Sequence, residues 1–235
     1  MASSLGHPAR FQAAALQGSA APAGGNYSDL FNPVLNGAGQ VAFSANLTGG
    51  SSTGGVFVGA PGSVQAAALQ GTAAPVSGGL PGNFSLFGTP VLNGVGQVAF
   101  TTNLIGAGID SNIDTILFAG LPGSLTQIVR EGDLIDVDAG LGIDLRTVAS
   151  AGIGFLAASG GQDGRGMSFN DNGLLAYRLT FTDNSTGIFM SSLTAEAPEP
   201  AAVPEPCTLV LAVVGLAGLG LLARRRRANG ECNAE

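Results

Sequence analysis

The stretch Pro33-Val-Leu-Asn-Gly-Ala-Gly-Gln-Val-Ala-Phe43 returns almost unchanged as Pro90-Val-Leu-Asn-Gly-Val-Gly-Gln-Val-Ala-Phe100. Its Asn-Gly-x-Gly core is a turn sequence whose residues tolerate positive φ and join the strands of a hairpin. In the strand after the turn, Val41 and Phe43 share one face and Ala42 lies on the other, because side chains alternate along a strand. The stretch therefore predicts a β-hairpin that recurs along the chain.

A second repeated text places this hairpin in a longer unit. Gln12-Ala-Ala-Ala-Leu-Gln-Gly18 returns as Gln65-Ala-Ala-Ala-Leu-Gln-Gly71. A diverged third copy begins at Gln127-Ile-Val-Arg-Glu-Gly132 and continues at Asn170-Asp-Asn-Gly-Leu-Leu-Ala-Tyr177. The repeats predict a β-repeat ectodomain at residues 11–193, with units at about 11–60, 61–122 and 123–193, after a disordered start at residues 1–10.

Each unit is predicted to contain four short strands. The first is Val64–Leu69 or its equivalent, the second carries a phenylalanine and the Pro-Val-Leu triplet, and the third is Gln40–Ala45. The fourth is Gly55–Gly59, matched by Ile116–Ala119 and Ile188–Ser191. A four-stranded sheet repeated in this way is typical of a propeller blade, and a β-sandwich or an open array of the same hairpins is the alternative. Three blades are too few to close a ring, so the predicted fold is all-β, propeller-blade-like and incomplete.

The repeats resemble tandem-repeat proteins that carry an Asn-x-x-Gly-x-x-Ala-Phe motif on the bacterial surface. The matching residues are Asn36, Gly39, Ala42 and Phe43 in the first copy, Asn93, Gly96, Ala99 and Phe100 in the second, and Asn170, Gly173 and Ala176 in the third. In the third copy Tyr177 replaces the phenylalanine. The resemblance implies a fold and a setting on the cell surface, but no chemistry.

The C-terminal end of the chain has the pattern of a membrane anchor. The run Cys207–Ala223 has no charged residue and is followed by Arg224, Arg225, Arg226 and Arg227. As a helix this run would span about 25 Å, slightly less than a ~30 Å hydrocarbon core, and the arginines would snorkel to cover the difference. Arginine clusters stay on the cytoplasmic side. We therefore expect a transmembrane helix at 207–223 in contact with lipid, a cytoplasmic tail at 228–235, an Ala/Pro/Glu linker at 194–203 and the rest of the chain outside the cytoplasm.

This tail resembles the PEP-CTERM sorting signal of Gram-negative bacteria, which a membrane enzyme called exosortase processes. The triplet is Pro204, Glu205 and Pro206, and the signal extends over residues 204–227 with its basic cluster at Arg224–Arg227. The resemblance implies cleavage near the triplet and release or re-anchoring at the cell surface. A plain single-span anchor that is never cleaved is the alternative. Export also requires an apolar leader, which Met1–Arg10 lacks, so we expect a leader upstream of Met1 in the intact gene.

The composition excludes several kinds of site. All nine basic residues are arginine and the net charge is −7 at pH 7, which argues against a nucleic-acid partner. The single histidine, His7, lies in the predicted disordered start, so Ser-His-Asp and Cys-His catalytic designs are excluded. Both cysteines, Cys207 and Cys232, lie in the tail, so the ectodomain has no internal disulfide. No cofactor is expected.

Carboxylates concentrate in the third unit. They are Glu131, Asp133, Asp136, Asp138 and Asp144. Asp136-x-Asp138-x-Gly140 faintly resembles a calcium loop, but it lacks the third acidic position and the closing glutamate. We therefore predict no metal site. Asp136 and Asp138 are the weak candidates for calcium ligands.

The sequence favours a non-enzymatic, exported β-repeat protein that is sorted to the cell envelope and then to the extracellular polysaccharide matrix. Its expected partners are an exosortase-type processing enzyme, membrane lipid and exopolysaccharide. The alternative is a carbohydrate-active hydrolase or lyase that uses the acidic third repeat.

Overall fold

A computed structural model describes residues 11–138, 140, 142–154 and 168–193. In these residues the chain is all-β, with fourteen strands and no helix. The chain divides into two units, Met1–Ala195 and Glu196–Glu235, and all of the described residues lie in the first. No helix in the described ranges is long and apolar enough to cross a membrane. The predicted start at 1–10, linker at 194–203, sorting signal at 204–227 with its helix at 207–223, and tail at 228–235 lie outside the described residues.

The strands form three antiparallel sheets in chain order. Sheet one contains β1 (Asn26–Leu30), β2 (Val34–Leu35), β3 (Val41–Thr48), β4 (Gly54–Gly59) and β5 (Gln65–Leu69), in the order β1-β3-β4-β5 with β2 also beside β3. Sheet two contains β6 (Asn83–Phe87), β7 (Val91–Leu92), β8 (Val98–Ile105), β9 (Thr115–Leu121) and β10 (Ser124–Arg130), in the order β6-β8-β9-β10 with β7 beside β8. Sheet three contains β11 (Leu134–Asp136), β12 (Leu145–Gly154), β13 (Leu174–Phe181) and β14 (Thr186–Ser192), in that order.

The register between the two central strands is the same in every sheet. Phe43 lies opposite Phe57, Phe100 opposite Phe118, and Tyr177 opposite Phe189. These pairs place an aromatic couple at the centre of each sheet, where the rings contact each other at centroid distances of 5.6 to 6.4 Å. The three sheets are therefore structural repeats, although the third has diverged in sequence.

The predicted second strand is divided in two wherever the Pro-Val-Leu triplet occurs. Pro33 separates β1 from β2, and Pro90 separates β6 from β7. A proline has no N–H to donate and interrupts a ladder, so the sequence of one predicted strand gives two observed ones. Sheets one and two consequently have five strands rather than the four predicted.

The sequence repeat and the sheet are offset by one strand. The repeated text Gln65–Leu69, expected to open the second unit, forms β5 and pairs with β4 in sheet one. The identical text at residues 12–16, expected to be the first strand of the first unit, is not a strand. The expectation fails there because a strand needs a hydrogen-bonding neighbour, and no described residue before Gln12 supplies the equivalent of β4.

Each sheet has two distinct faces, which we name from the repeat motif. The leading face carries the motif aromatic (Phe43, Phe100 or Tyr177), and the trailing face carries the motif alanine (Ala42, Ala99 or Ala176). Val56 and Val58 on the trailing face of sheet one pack with Phe100 and Phe118 on the leading face of sheet two. Leu117 and Ala119 on the trailing face of sheet two pack with Tyr177 and Leu179 on the leading face of sheet three.

The described sheets therefore form a stack in which sheet two lies between its neighbours, and they do not form a closed propeller. The leading face of sheet one forms a third cluster around Tyr27, Phe43 and Phe57. Ala15 and Ala21, from the segment before β1, belong to this cluster and cover part of that face.

Candidate functional site

The motif asparagine organises each hairpin turn. Asn36 Oδ1 accepts hydrogen bonds from the N–H groups of Ala38 (3.1 Å) and Gln40 (2.9 Å), and its Nδ2 donates to Gln40 Oε1 (2.9 Å). Asn93 Oδ1 likewise accepts from the N–H of Gln97 at 2.8 Å. Asparagine favours such turns because its short amide can replace a backbone group. The motif asparagine therefore fixes the turn between the short strand that precedes it and the long strand that follows.

The motif glycine provides the backbone conformation that this turn requires. Gly39, Gly96 and Gly173 all have positive φ, between 76° and 85°. Only glycine adopts this region at little cost, which explains its place three residues after each asparagine.

The same asparagines also connect one sheet to the next. Asn36 Nδ2 donates to the carbonyl oxygen of Asn93 at 2.8 Å, and Asn93 Nδ2 donates to the carbonyl oxygen of Asn170 at 2.9 Å. Both Asn36 and Asn93 are buried. We call Asn36, Asn93 and Asn170 the asparagine column. Beside it, the carboxylate of Asp171 accepts a hydrogen bond from the N–H of Gly94, which adds a second link between sheets two and three.

The remaining motif positions line the contacts between sheets. Ala42 and Ala99 are completely buried on trailing faces, where a small side chain allows the next sheet to come close. Phe43 and Phe100 are buried on leading faces. Tyr177, which replaces the phenylalanine in the third copy, is also buried, and its hydroxyl lies 2.8 Å from Ser191 Oγ. One short motif therefore supplies the hairpin turn, the small residue that allows the next sheet to come close, and an aromatic residue of the core.

Residues 5–209 match the family model of DUF7453, a family of unknown function. The chain belongs to DUF7453. No curated protein and no solved structure is significantly similar to it. Family membership covers the whole repeat region of this DUF7453 chain and ends just after the Pro204–Pro206 triplet, and it assigns no chemistry.

The carboxylates of the third unit do not converge on a common site. Asp136 Oδ1 accepts the N–H groups of Asp138 (3.1 Å) and Asp144 (3.0 Å), and Asp138 Oδ1 accepts the N–H of Gly140 (2.8 Å). These are turn-stabilising bonds of the kind aspartate makes in loops. No group of three or more His, Cys, Asp or Glu side chains among the described residues could hold a metal ion. Asp136 and Asp138 therefore serve the loop between β11 and β12.

Asp144 belongs to a surface ion-pair group. Its carboxylate lies 2.7 Å from Arg146, whose guanidinium also lies 3.5 Å from Asp183. The hydrogen bond from Arg146 lowers the pKa of Asp144, and hydrogen bonds from Ser185 lower the pKa of Asp183. The group joins the loop before β12 to the turn between β13 and β14, and its exposure keeps its contribution to stability small.

Glu131 is buried, and its carboxylate links two parts of the backbone. Its two carboxylate oxygens accept hydrogen bonds from the N–H of Thr115 (3.1 Å) and from the N–H of Ala151, a residue with positive φ. Burial raises the pKa of Glu131, and the two backbone hydrogen bonds oppose that shift. The side chain ties the start of β9 to β12. Asp133, its neighbour in the sequence, accepts the N–H of Arg130 at 2.7 Å and shapes the same turn.

Arg130 is a residue whose role sequence reasoning missed. It is buried, and its guanidinium donates to the carbonyl oxygens of Ile113 (2.6 Å) and Leu80 (2.9 Å). It holds the loop before β6 and the loop before β9 against the end of β10. The sequence did indicate a special role, because Arg130 occupies the position that Leu69 has in the preceding repeat. An arginine in place of a leucine is unusual on a packed strand.

Proposed function

We propose that this chain is a non-enzymatic β-repeat protein that is exported, sorted by its C-terminal signal to the cell envelope, and delivered from there to the extracellular polysaccharide matrix. The observation that carries the proposal is a sequence pattern in the tail, where Pro204-Glu205-Pro206, the uncharged run Cys207–Ala223 and Arg224–Arg227 follow one another directly. An apolar segment of this length prefers lipid, and the arginines hold its end on the cytoplasmic side. The partners are an exosortase-type enzyme, membrane lipid at 207–223 and exopolysaccharide.

The structural use of the motif residues supports a non-enzymatic role. The buried asparagines and alanines of the motif stabilise turns and sheet contacts. A glycoside hydrolase needs two carboxylates facing each other across a sugar. Here Glu131 is buried, Asp136 and Asp138 accept bonds from their own loop, and Asp144 pairs with Arg146. These contacts favour the non-enzymatic role over the hydrolase or lyase alternative, which rests on the acidic residues of the third unit.

The sheets are interpreted as propeller-type blades in an incomplete ring. Each blade is completed by the first strand of the following sequence unit, as β5 completes sheet one and β10 completes sheet two. A domain of this kind offers loops and sheet edges to a long polymer such as a polysaccharide, rather than one deep pocket to a small substrate.

The test compares two neighbouring triplets in the tail. We expect Glu205→Ala, or deletion of Arg224–Arg227, to leave full-length protein in the membrane fraction, measured by immunoblot of fractionated cells with a tag before Pro198. The matched control is Glu199→Ala, because Pro198-Glu199-Pro200 repeats the triplet six residues upstream. The control should be processed like the wild type. Equal processing of wild type, Glu205→Ala and the arginine deletion would contradict the proposal.

A further inference from the structure

Among the described residues, the third sheet has no strand outside β14, whereas the other two sheets have one more strand at this edge. In sheet one β5 lies outside β4, and in sheet two β10 lies outside β9. β14 is the structural equivalent of β4 and β9, and it is the last strand of sheet three among the described residues. An exposed strand edge offers unpaired backbone donors and acceptors to another strand.

A segment with the sequence of this outer strand lies at the other end of the stack. Gln12–Leu16 has the same sequence as β5, Gln65–Leu69, but does not form a strand. The glycine two residues after this segment makes the same hydrogen bond in all three repeats: Gly18 donates to the carbonyl oxygen of Tyr27 (2.7 Å), as Gly71 does to Phe84 (2.8 Å) and Gly132 to Val148 (2.9 Å). Gln12–Leu16 is therefore placed before sheet one as β5 is placed before sheet two, and no described residue forms a β4-type strand beside it.

The trailing face of sheet three is bare where the other trailing faces are covered. Ile188 is 79% exposed and Met190 is 67% exposed, whereas their equivalents in sheet one, Val56 and Val58, are buried against sheet two. Their equivalents in sheet two, Leu117 and Ala119, are completely buried against sheet three. Large apolar side chains exposed side by side on one sheet face mark an interaction surface.

At the opposite end of the stack, no described sheet precedes sheet one, and part of its leading side is exposed. Leu35 is 58% exposed, while its equivalents Leu92 and Phe169 are buried by the preceding sheet. An open cleft beside it is lined by Ala14, Ala15, Phe31 and Phe43. Leu35 is thus accessible at this end of the stack, at the border of a leading face whose central rings, Phe43 and Phe57, are buried.

Among the described residues, the asparagine column has no further hairpin at either end. Asn36 donates to the carbonyl of Asn93, and Asn93 to that of Asn170. An acceptor of the same kind for Asn170 would have to belong to a further hairpin, and the described residues contain no fourth copy of the motif. The carbonyl of Asn36 likewise has no asparagine donor from a preceding hairpin in the described part of the chain. A contact of the same kind between two copies would use the amide of Asn170 as the donor and the carbonyl oxygen of Asn36 as the acceptor.

We propose that copies of this chain assemble head to tail, with Gln12–Leu16 and the leading face of one copy docking on the β14 edge and trailing face of the next. The contact continues the interface that already joins sheets one and two and sheets two and three. By the register of β5 on β4, Ala15 lies opposite Ile188, and Leu16 opposite Gly187. Such a contact is heterologous, so repetition produces a ring or a filament.

Ser191, near the end of β14, favours an occupant from a second copy over a strand that folds directly back. Gly59 and Gly120 have strongly positive φ where the chain turns from β4 into β5 and from β9 into β10. Ser191 occupies the equivalent position in β14 and has no such φ. β14 therefore lacks the positive-φ glycine at which the chain turns into the outer strand in sheets one and two.

The first experiment measures the mass of the full-length chain in mild detergent over a concentration series, by light scattering or sedimentation. Wild-type protein should pass from monomer to larger species, and Ile188→Lys should weaken this association at least tenfold. Ile143→Lys is the matched control, since Ile143 is also 79% exposed but lies in the loop between β11 and β12. A monomer at every concentration, or equal association of both variants, would overturn the proposal.

The second experiment tests the register and the source of the strand. In a Cys207→Ser, Cys232→Ser background, Ala15→Cys and Ile188→Cys proteins are mixed and oxidised. Residues paired across antiparallel strands have Cα separations within disulfide range, so the mixture should give a covalent dimer that neither variant gives alone. If dimers form equally in each single variant, or if the double variant closes a disulfide within one monomer, head-to-tail assembly of copies is wrong.

Discussion

A single asparagine performs two tasks in each repeat. The carbonyl side of its amide caps the turn of its own hairpin, and the amino side reaches the backbone of the next hairpin, so local and long-range structure depend on the same residue. Its amide is buried in the first two copies, where an unmet polar atom is costly. This double use explains why serine or aspartate, which serve many turns equally well, cannot replace it: serine is too short to span both partners, and aspartate has no N–H to donate.

We expect Asn93→Ala to lower the free energy of unfolding by about 2–3 kcal/mol, because it removes the bonds to Asn170 and Gln97 and leaves buried backbone groups unpaired. Asn93→Asp keeps the acceptor but loses both donated bonds and should also be destabilised. Urea unfolding monitored by circular dichroism measures the difference. Asn46→Ala is the control, since that exposed side chain bonds only to Asp29 and its loss should cost no more than about 0.5 kcal/mol. Equal midpoints for Asn93→Ala and Asn46→Ala would show that the column contributes nothing.

At the scale of elements, the sequence predicted the strands that its repeated text encodes. β3 and β8 follow the asparagine turn, and β4 and β9 fall on the predicted fourth strands. Alternation was also sufficient to assign Phe43 and Ala42 to opposite faces. These features depend on neighbours within one hairpin, so a local pattern contains them.

The features that sequence did not reveal all depend on distant partners. By its sequence, β5 could belong to sheet one or to sheet two, and only its pairing with β4 places it in sheet one. The burial of Glu131 was not predicted, because its two backbone partners lie 16 and 20 residues away in the sequence. The amide of Asn36 bonds across 57 residues, which no turn signal indicates. The asparagine column could be read as a motif from sequence, but its function as a link between sheets could not.

The hairpin that carries β5 back onto β4 depends on one glycine. Gly59 has a φ of 151°, and a Cβ on this residue would lie 2.5 Å from the carbonyl oxygen of Ser63. We expect Gly59→Ala to lower the free energy of unfolding by roughly 1–3 kcal/mol, through both backbone strain and this contact. Thermal unfolding followed by circular dichroism provides the measurement. Gly78→Ala is the control, because an added Cβ there meets nothing within 4 Å and needs no positive φ. An unchanged melting temperature for Gly59→Ala would mean that the turn relaxes freely.

At the scale of the whole molecule, the described region is a stack of three sheets in which the core clusters join consecutive sheets. In such arrays stability is approximately the sum of the stability of each repeat and of the interfaces between nearest neighbours. Sheet two has two covered faces, whereas sheets one and three each have one face that lacks a neighbouring sheet. Partial opening should therefore begin at the ends of the stack and reach sheet two last.

Two adjacent residues of β9 allow this order to be tested interface by interface. Ile116 and Leu117 are both completely buried, but Ile116 packs toward sheet one and Leu117 toward sheet three. Truncation of either to alanine should cost about 2–5 kcal/mol. Since about 1.4 kcal/mol corresponds to a tenfold change in an equilibrium, native-state hydrogen exchange should resolve the effect clearly.

We expect Ile116→Ala to accelerate exchange chiefly in sheets one and two, with β3 and β4 as reporters. Leu117→Ala should accelerate it chiefly in sheets two and three, with β13 as the reporter. The two variants control for each other, because they alter the same strand at the same burial and differ only in the face that they change. If both variants accelerate exchange equally in all three sheets, the stack unfolds as one cooperative unit, and the nearest-neighbour description does not apply to this protein. Because the open ends of the stack are also the surfaces proposed for head-to-tail contact, the measurement should be made below the concentration at which the wild type associates.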